Sequence, residues 1–139
     1  MPFDLRTASV SDADDLLDLW HHAAENDGRP TDTRAAVVAL IEHDPAALIV
    51  AEHDGELIGS VIAGWDGWRN HLYRLAVHPD WRRRGVASAL LDAAETRFAQ
   101  LGGTRADAMV LAGNDLGQRI WRARGYRQQD DWRRWVREL

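Results

Sequence analysis

Apolar positions along this chain change their spacing several times, and each change marks an element. Phe3–Ala8 alternates apolar and polar residues, the period of a half-buried strand. Ala13, Leu16, Leu17, Trp20 and Ala24 then recur at helical spacing behind Ser11 and Asp14, whose separation of three resembles a capping box. The polar stretch Glu25–Pro30 reads as a loop. Thr31–Thr33 caps a second helix that ends near His43, before Pro45. Ala47–Glu52 and Leu57–Gly64 read as strands about His53-Asp54-Gly55-Glu56, where the Asp-Gly pair predicts a hairpin turn that needs positive φ.

A loop holding Trp65, Asp66, Gly67, Trp68 and Arg69 leads into a fourth strand, His71–His78, stopped by Pro79. Arg84–Leu101 is helical, with Val86, Leu90, Ala94, Phe98 and Leu101 on one face and Gly102-Gly103 at its end. Thr104–Leu111 is a fifth strand. Asn114 caps a helix running through Arg124, closed by Gly125, and Tyr126–Gln128 and Trp132–Val136 read as a closing pair of strands. The order β-α-α-β-β-β-α-β-α-β-β mixes hairpins with crossovers. It predicts an α+β (three-layer) fold: one mixed, mostly antiparallel central sheet flanked by helices.

The 139 residues allow one domain, spanning residues 1–139. Cysteine is absent and all 17 basic residues are arginine, which removes thiolate chemistry, a P-loop lysine and a Schiff-base lysine. His21, His22 and Glu25 sit on neighbouring helical faces but lack the HExxH spacing, so no metal is expected. Apolar runs such as Ala46–Ala51 are too short to span a bilayer. Met1-Pro2-Phe3-Asp4 carries neither the basic nor the apolar region of a secretory leader, and a cytoplasmic location without membrane contact is expected.

The net charge of −5 is unevenly divided. Residues 1–68 hold three arginines against fourteen acids, net −11, whereas residues 69–139 hold fourteen arginines against eight acids, net +6. That division suits a site handling an anion on one side and a cation on the other, or a solvated surface rich in arginine. A nucleic-acid binder is usually basic overall, so no nucleic-acid partner is expected, although a reader using Arg82–Arg84 would reveal itself by steep salt dependence.

Chemistry concentrates between Leu72 and Ala87, where a strand runs into Arg82-Arg83-Arg84-Gly85 and opens a long amphipathic helix. Unpaired amides and the positive end of the helix dipole meet there, and Gly85 permits close approach of a ligand. With flanking arginines this is a cradle for a di- or polyphosphate, at a spacing that is neither the three-glycine dinucleotide fingerprint nor a Walker loop.

Arg82-x-x-Gly85-x-Ala87, preceded by Leu75-Ala76-Val77-His78-Pro79, resembles the Arg/Gln-x-x-Gly-x-Gly/Ala motif and fourth strand of the GNAT superfamily of acetyl-CoA-dependent N-acetyltransferases. The order of elements agrees over essentially the whole chain, and Asp66–Arg69 is similar to the small bacterial YpeA-like members. The resemblance implies that the main chain of Leu75, Ala76 and Val77 bonds the pantetheine arm. It implies that amides of Arg83, Arg84, Gly85, Val86, Ala87 and Ser88, with Arg82, hold the pyrophosphate, and that Asn114 touches the coenzyme.

The chain departs from the family at Trp121, which stands at the coenzyme-side position that often carries a tyrosine acid. Indole cannot return a proton to the thiolate, which leaves water, Tyr73 or Tyr126. The implied reaction is direct attack of a neutral primary amine, of a small molecule or peptide, on the acetyl thioester. A base must first deprotonate the ammonium, and His71, Asp66 or Glu25 are the candidates. The backbone N–H of Val77 is the candidate oxyanion donor. Trp65, Trp68 and Trp81 line an acceptor pocket, stack with adenine, or pack as rim or core, and Trp132 and Trp135 are placed to face a second subunit of a homodimer. The rival reading is an acyl-CoA-binding sensor with little catalysis.

Overall fold

The computed structural model describes residues 2–23 and 31–139. Its elements are β1 (Asp4–Thr7), α1 (Ala13–Ala23), α2 (Arg34–His43), β2 (Leu48–His53), β3 (Glu56–Trp65), β4 (Asn70–Val77), α3 (Val86–Gln100), β5 (Ala106–Ala108) and α4 (Asp115–Ala123), with 3-10 turns at Val10–Asp12 and Pro79–Trp81. The strands form one sheet in the order β1-β2-β3-β4-β5. Neighbours are antiparallel except β4 and β5, which are parallel. The expected mixed, mostly antiparallel sheet flanked by helices is therefore present.

Each face of the sheet buries its own apolar set. Ile49, Ala51, Val61, Ala63 and Leu72 pack on Val86, Leu90, Leu91, Ala94 and Phe98 of α3. Leu48, Val50 and Ala76 pack on Leu16, Leu19 and Trp20 of α1 and on Val37 and Ile41 of α2. Alternation along β2 feeds both sets, because successive side chains of a strand point to opposite faces. Glycine decides how close α3 lies: a Cβ on Gly59 would stand 2.7 Å from Val86 Cγ1.

Local signals end the elements as expected at several points. Asp54 (φ 49°) and Gly55 (φ 80°) make the hairpin turn. Thr33 Oγ1 accepts the Ala36 amide at 3.1 Å, and Gly102 and Gly125 take positive φ beyond α3 and α4.

Three expectations are corrected. The first helix is capped by Ser9 and Asp12 rather than Ser11 and Asp14: the Ser9 amide donates to Asp12 Oδ2 at 2.8 Å. Asp14 instead faces Arg34 of α2. The fifth strand is only three residues long, because pairing with β4 stops at Leu72–Ala108. Tyr126–Gln128 and Trp132–Val136 are not strands. Trp132 and Trp135 are three residues apart, so they cannot share one face of a strand, and they stand 71% and 93% exposed.

Candidate functional site

Three features lie along β4 and the turn that follows it. The first is a gap in the sheet. β5 pairs with β4 only at Asn70, His71 and Leu72, so Tyr73–Val77 continue with no β5 neighbour. The orientation of their main chain follows from the other edge. His78 N–H bonds Ile58 O at 2.8 Å, and Ala76 lies opposite Ser60 two residues on. Antiparallel strands alternate hydrogen-bonded and unbonded pairs, so Ala76 bonds across to β3 while the polar groups of Val77 and Leu75 turn into the gap.

A β-bulge sets this register. Arg74 and Leu75 together oppose Val61, and Arg74 has φ 50°, a left-handed conformation that a side chain resists. Its carbonyl accepts a hydrogen bond from the buried Ser60 hydroxyl at 2.8 Å, and that hydroxyl accepts from Trp20 Nε1 at 2.7 Å. The Arg74 guanidinium reaches Asp32 with Nη2–Oδ1 at 2.6 Å and Nε 3.1 Å from both carboxylate oxygens, tying the start of α2 over the bulge.

The second feature is the turn between β4 and α3. Arg83 (φ 62°) and Gly85 (φ 82°) are both left-handed, which curls successive amides toward one point. The helix ladder closes on this turn with Ala89 N–H to Gly85 O at 3.0 Å, so the amides of Val86, Ala87 and Ser88 precede it. A Cβ on Gly85 would meet nothing within 4 Å, so the space beside it is open. Trp81 braces the turn from below: its ring packs edge-on against Phe3 and lies 4.7 Å from the His53 ring, while Arg84 lies over it at 4.9 Å. The Arg82 guanidinium approaches the Ala23 carbonyl at the end of α1, at 3.5 Å. A cleft of about 250 Å³ adjoins this end of the sheet rather than the gap, lined by Asp15, Asp18, Glu56, His22 and His78 among others.

The third feature is an acidic mouth where the gap begins. His71 Nδ1 stands 2.7 Å from Asp107 Oδ1 and its Nε2 stands 3.4 Å from Asp66 Oδ2. The hydrogen bond to Asp107 is the main reason the imidazole is held above its ordinary pKa of 6.5, with Asp66 adding to it against partial burial. Asp66 accepts the Trp68 and Arg69 amides at 2.7 and 2.6 Å, and these bonds hold its carboxyl below the usual range. Tyr73 lies beside His71, ring centroids 6.1 Å apart, and its phenol is pushed above 10 by burial and by Asp107 and Asp66. The expected trio of Asp66, His71 and Tyr73 is thus one cluster. Asp107 was not anticipated, although a lone acid between Ala106 and Ala108 was a visible signal.

Other anticipated residues have structural partners. Asn114 Oδ1 accepts the Gly117 amide at 2.9 Å, and a Cβ on Gly117 would strike the Asn114 side chain, so Gly117 makes room for the cap. Trp121 packs edge-on against Tyr126 at 4.9 Å. The Tyr126 hydroxyl donates to Glu95 Oε2 at 2.8 Å, and burial together with this bond raises its pKa. Trp68 is 72% exposed under Arg69. Glu25 lies outside the described residues. Among the described residues no cluster of three or more His, Asp or Glu is arranged to hold a metal, and no helix is long and apolar enough to cross a membrane.

Known proteins carry the same arrangement of elements. Residues 12–126 match the family described as Acetyltransferase (GNAT) family. An acetyltransferase of Yersinia enterocolitica is 34% identical over 128 residues, covering 91% of this chain and 89% of the relative. The PaiA N-acetyltransferase of Thermoplasma acidophilum, solved in complex with coenzyme A, superposes with a TM-score of 0.84 at 18% identity over 94% of this chain and 92% of its own. The diaminobutyrate acetyltransferase of Paenibacillus lautus, solved with L-2,4-diaminobutyric acid and coenzyme A, gives 0.74 at 18% identity over 88% and 74%. The parted strands, the amide-rich turn and the sequence match agree, and the chain belongs to the acetyltransferase (GNAT) family.

Proposed function

We propose that this protein transfers an acetyl group from acetyl-CoA to a primary amine of a small molecule or peptide, and that its coenzyme and acceptor sites are the gap, turn and mouth described above. The observation that carries this reading is that β4 runs past its last β5 partner for five residues and leads, through the 3-10 turn at Pro79–Trp81, into a left-handed turn at a helix N-terminus. The fit to a long pyrophosphate-bearing thioester is good. The free edge at Leu75 and Val77 matches an extended amide chain, and open space beside Gly85 leaves the phosphates room. Coenzyme complexes of the two structural relatives support the same donor.

Acetyl-CoA supplies an activated thioester; the protein does the rest by position and protons. Leu75 and Val77 turn N–H groups into the gap, where negative charge on an acyl oxygen is stabilised. The amides of Arg83–Ser88, backed by Arg82 and Arg84, take the pyrophosphate. At the mouth Asp66 and Asp107 attract an ammonium. With Asp107 fixing Nδ1–H, neutral His71 offers Nε2 as the base, acting through water because it lies four residues along the strand from Leu75. The raised pKa of Tyr73 keeps its phenol protonated, a hydrogen-bond donor rather than a net acid toward a thiol of pKa about 8.5.

Calorimetric titration of acetyl-CoA tests the donor. Gly85→Val forces a β-branched residue into φ 82° and fills the open space, so binding is expected to fall by at least about tenfold. Arg82→Ala weakens it less. Equal affinity in all three proteins refutes the cradle. Release of free thiol with a panel of amines tests transfer, and tight binding without turnover on any of them converts the reading to a coenzyme-binding sensor.

A further inference from the structure

We propose that Ser60 and Trp20 are positioning residues that hold the Arg74–Leu75 peptide in the one orientation that aims the Leu75 N–H at the thioester oxygen. The proposal rests on the acetyl-CoA reading above and assigns a task to two buried side chains outside the gap. Ser60 is fully buried and Trp20 is 4% exposed. Neither lies on β4.

The argument begins with the bulge. In a regular ladder the Arg74 carbonyl finds an amide on β3, but two residues of β4 here oppose one of β3, and Arg74 is left-handed. A buried carbonyl without a partner is costly, so something must replace the missing donor. The Ser60 hydroxyl does so at 2.8 Å. A hydroxyl has a single proton and rotates freely, which by itself leaves its direction undecided. Trp20 decides it: indole Nε1–H can only donate, and at 2.7 Å from Ser60 Oγ it occupies an acceptor site and commits the hydroxyl proton to Arg74.

The consequence for the gap follows from the planar trans peptide. Carbonyl and following N–H point in opposite directions, so anchoring the Arg74 carbonyl toward Ser60 turns the Leu75 N–H away from β3 and into the gap. The relay runs from α1 through β3 to β4 and ends at the Leu75 N–H, which faces the gap beside that of Val77. Arg74 is held a second time through its side chain on Asp32, and its guanidinium lies 5.8 Å from the Trp20 ring. That contact fixes the side chain, whereas the Ser60 bond fixes the peptide plane.

The test uses the full chain with acetyl-CoA carrying 13C at the thioester carbonyl. Hydrogen bonding to that oxygen moves its 13C resonance downfield. The wild-type protein is expected to produce the displacement, and Ser60→Ala to lose most of it while the calorimetric Kd stays within about twofold. Trp20→Phe, which keeps a buried ring without the donor, is expected to reduce the displacement at unchanged Kd. A full downfield displacement in Ser60→Ala overturns the relay and leaves the donor reading intact. Parallel loss of affinity and displacement in both variants overturns it in favour of general packing. Failure of the wild-type protein to bind acetyl-CoA sinks the donor reading itself.

Discussion

Replacing Gly59 by alanine places a methyl group where three atoms already crowd the strand. Its Cβ would lie 2.7 Å from Val86 Cγ1, 3.0 Å from Leu90 Cδ1 and 3.3 Å from the Ala76 carbonyl oxygen. Leu90 can shift a terminal methyl, but Val86 is β-branched in the first turn of α3 and has essentially one rotamer there. Restoring ordinary contact at about 3.5–4.0 Å therefore moves the start of α3 outward by about 1 Å. Overpacking of this kind costs about 1–3 kcal/mol, a fall in melting temperature of about 3–9 °C for a chain of this length. The same movement displaces the amides of Val86, Ala87 and Ser88 relative to β4. An N–H···O bond at about 2.9 Å stretched by 1 Å is no longer a bond, and each one lost to a charged phosphate costs about tenfold in affinity or more. Thermal unfolding and acetyl-CoA calorimetry on Gly59→Ala read the two effects separately. A variant with an unchanged melting temperature and the wild-type Kd refutes the claim that Gly59 sets the height of α3 over the cradle.

Asp107→Asn removes the carboxylate that chiefly raises the His71 pKa, so the acid limb of the kcat/KM profile is expected to move to lower pH, with lower activity on the plateau because Nδ1–H loses its anionic partner. An acid limb that stays in place excludes His71 as the base. In stability the sign is opposite. The raised folded pKa means that the His71–Asp107 pair contributes fully below pH 6.5, and its contribution fades as pH rises through the folded value. Tyr126→Phe removes the bond to Glu95 and is expected to lower stability by about 1 kcal/mol while kcat is unchanged. A large drop in kcat at retained stability marks Tyr126 as a proton donor after all. Asn114→Ala removes the α4 cap and costs about 1 kcal/mol, with acetyl-CoA affinity preserved if its role is the cap alone.

What could be read from the sequence was what local chemistry decides. The Asp54-Gly55 turn, the Thr33 cap and the glycines beyond α3 and α4 need only their immediate neighbours, and each was found within a residue or two. Ser11–Asp14 failed because Ser9–Asp12 offers the same spacing two residues earlier, and nothing local chooses between them. The closing strands failed because a strand is defined by its partner. Trp132-Arg133-Arg134-Trp135-Val136 resembles a strand in composition but not in period, and β5 is only three residues long. The site divides in the same way. The turn from Arg82 to Ala87 is contiguous and was legible. Asp107 meets His71 only through the parallel register of β4 and β5, and Trp20 reaches Ser60 across 40 positions of chain.

For the proposed transfer to an amine, the acidic mouth sets two demands against each other, and one pair of carboxylates bears on both. Carboxylates that draw a cationic acceptor to the gap also favour its ammonium form, which cannot attack a thioester. The same carboxylates raise the pKa of His71, the proposed base. A histidine of ordinary pKa 6.5 is mostly neutral at pH 7 but is a weak acceptor toward an amine of pKa near 10. Asp107 and Asp66 raise His71 from that value, which strengthens it as an acceptor at some loss of its neutral fraction. General-base catalysis is most effective when the pKa lies near the working pH, because the product of neutral fraction and basicity peaks there. The amides of Trp68 and Arg69 keep Asp66 ionised throughout, so its charge persists while His71 titrates. Attraction of the ammonium and basicity of the imidazole are therefore tuned by the same pair of carboxylates, and a substitution at either one changes both.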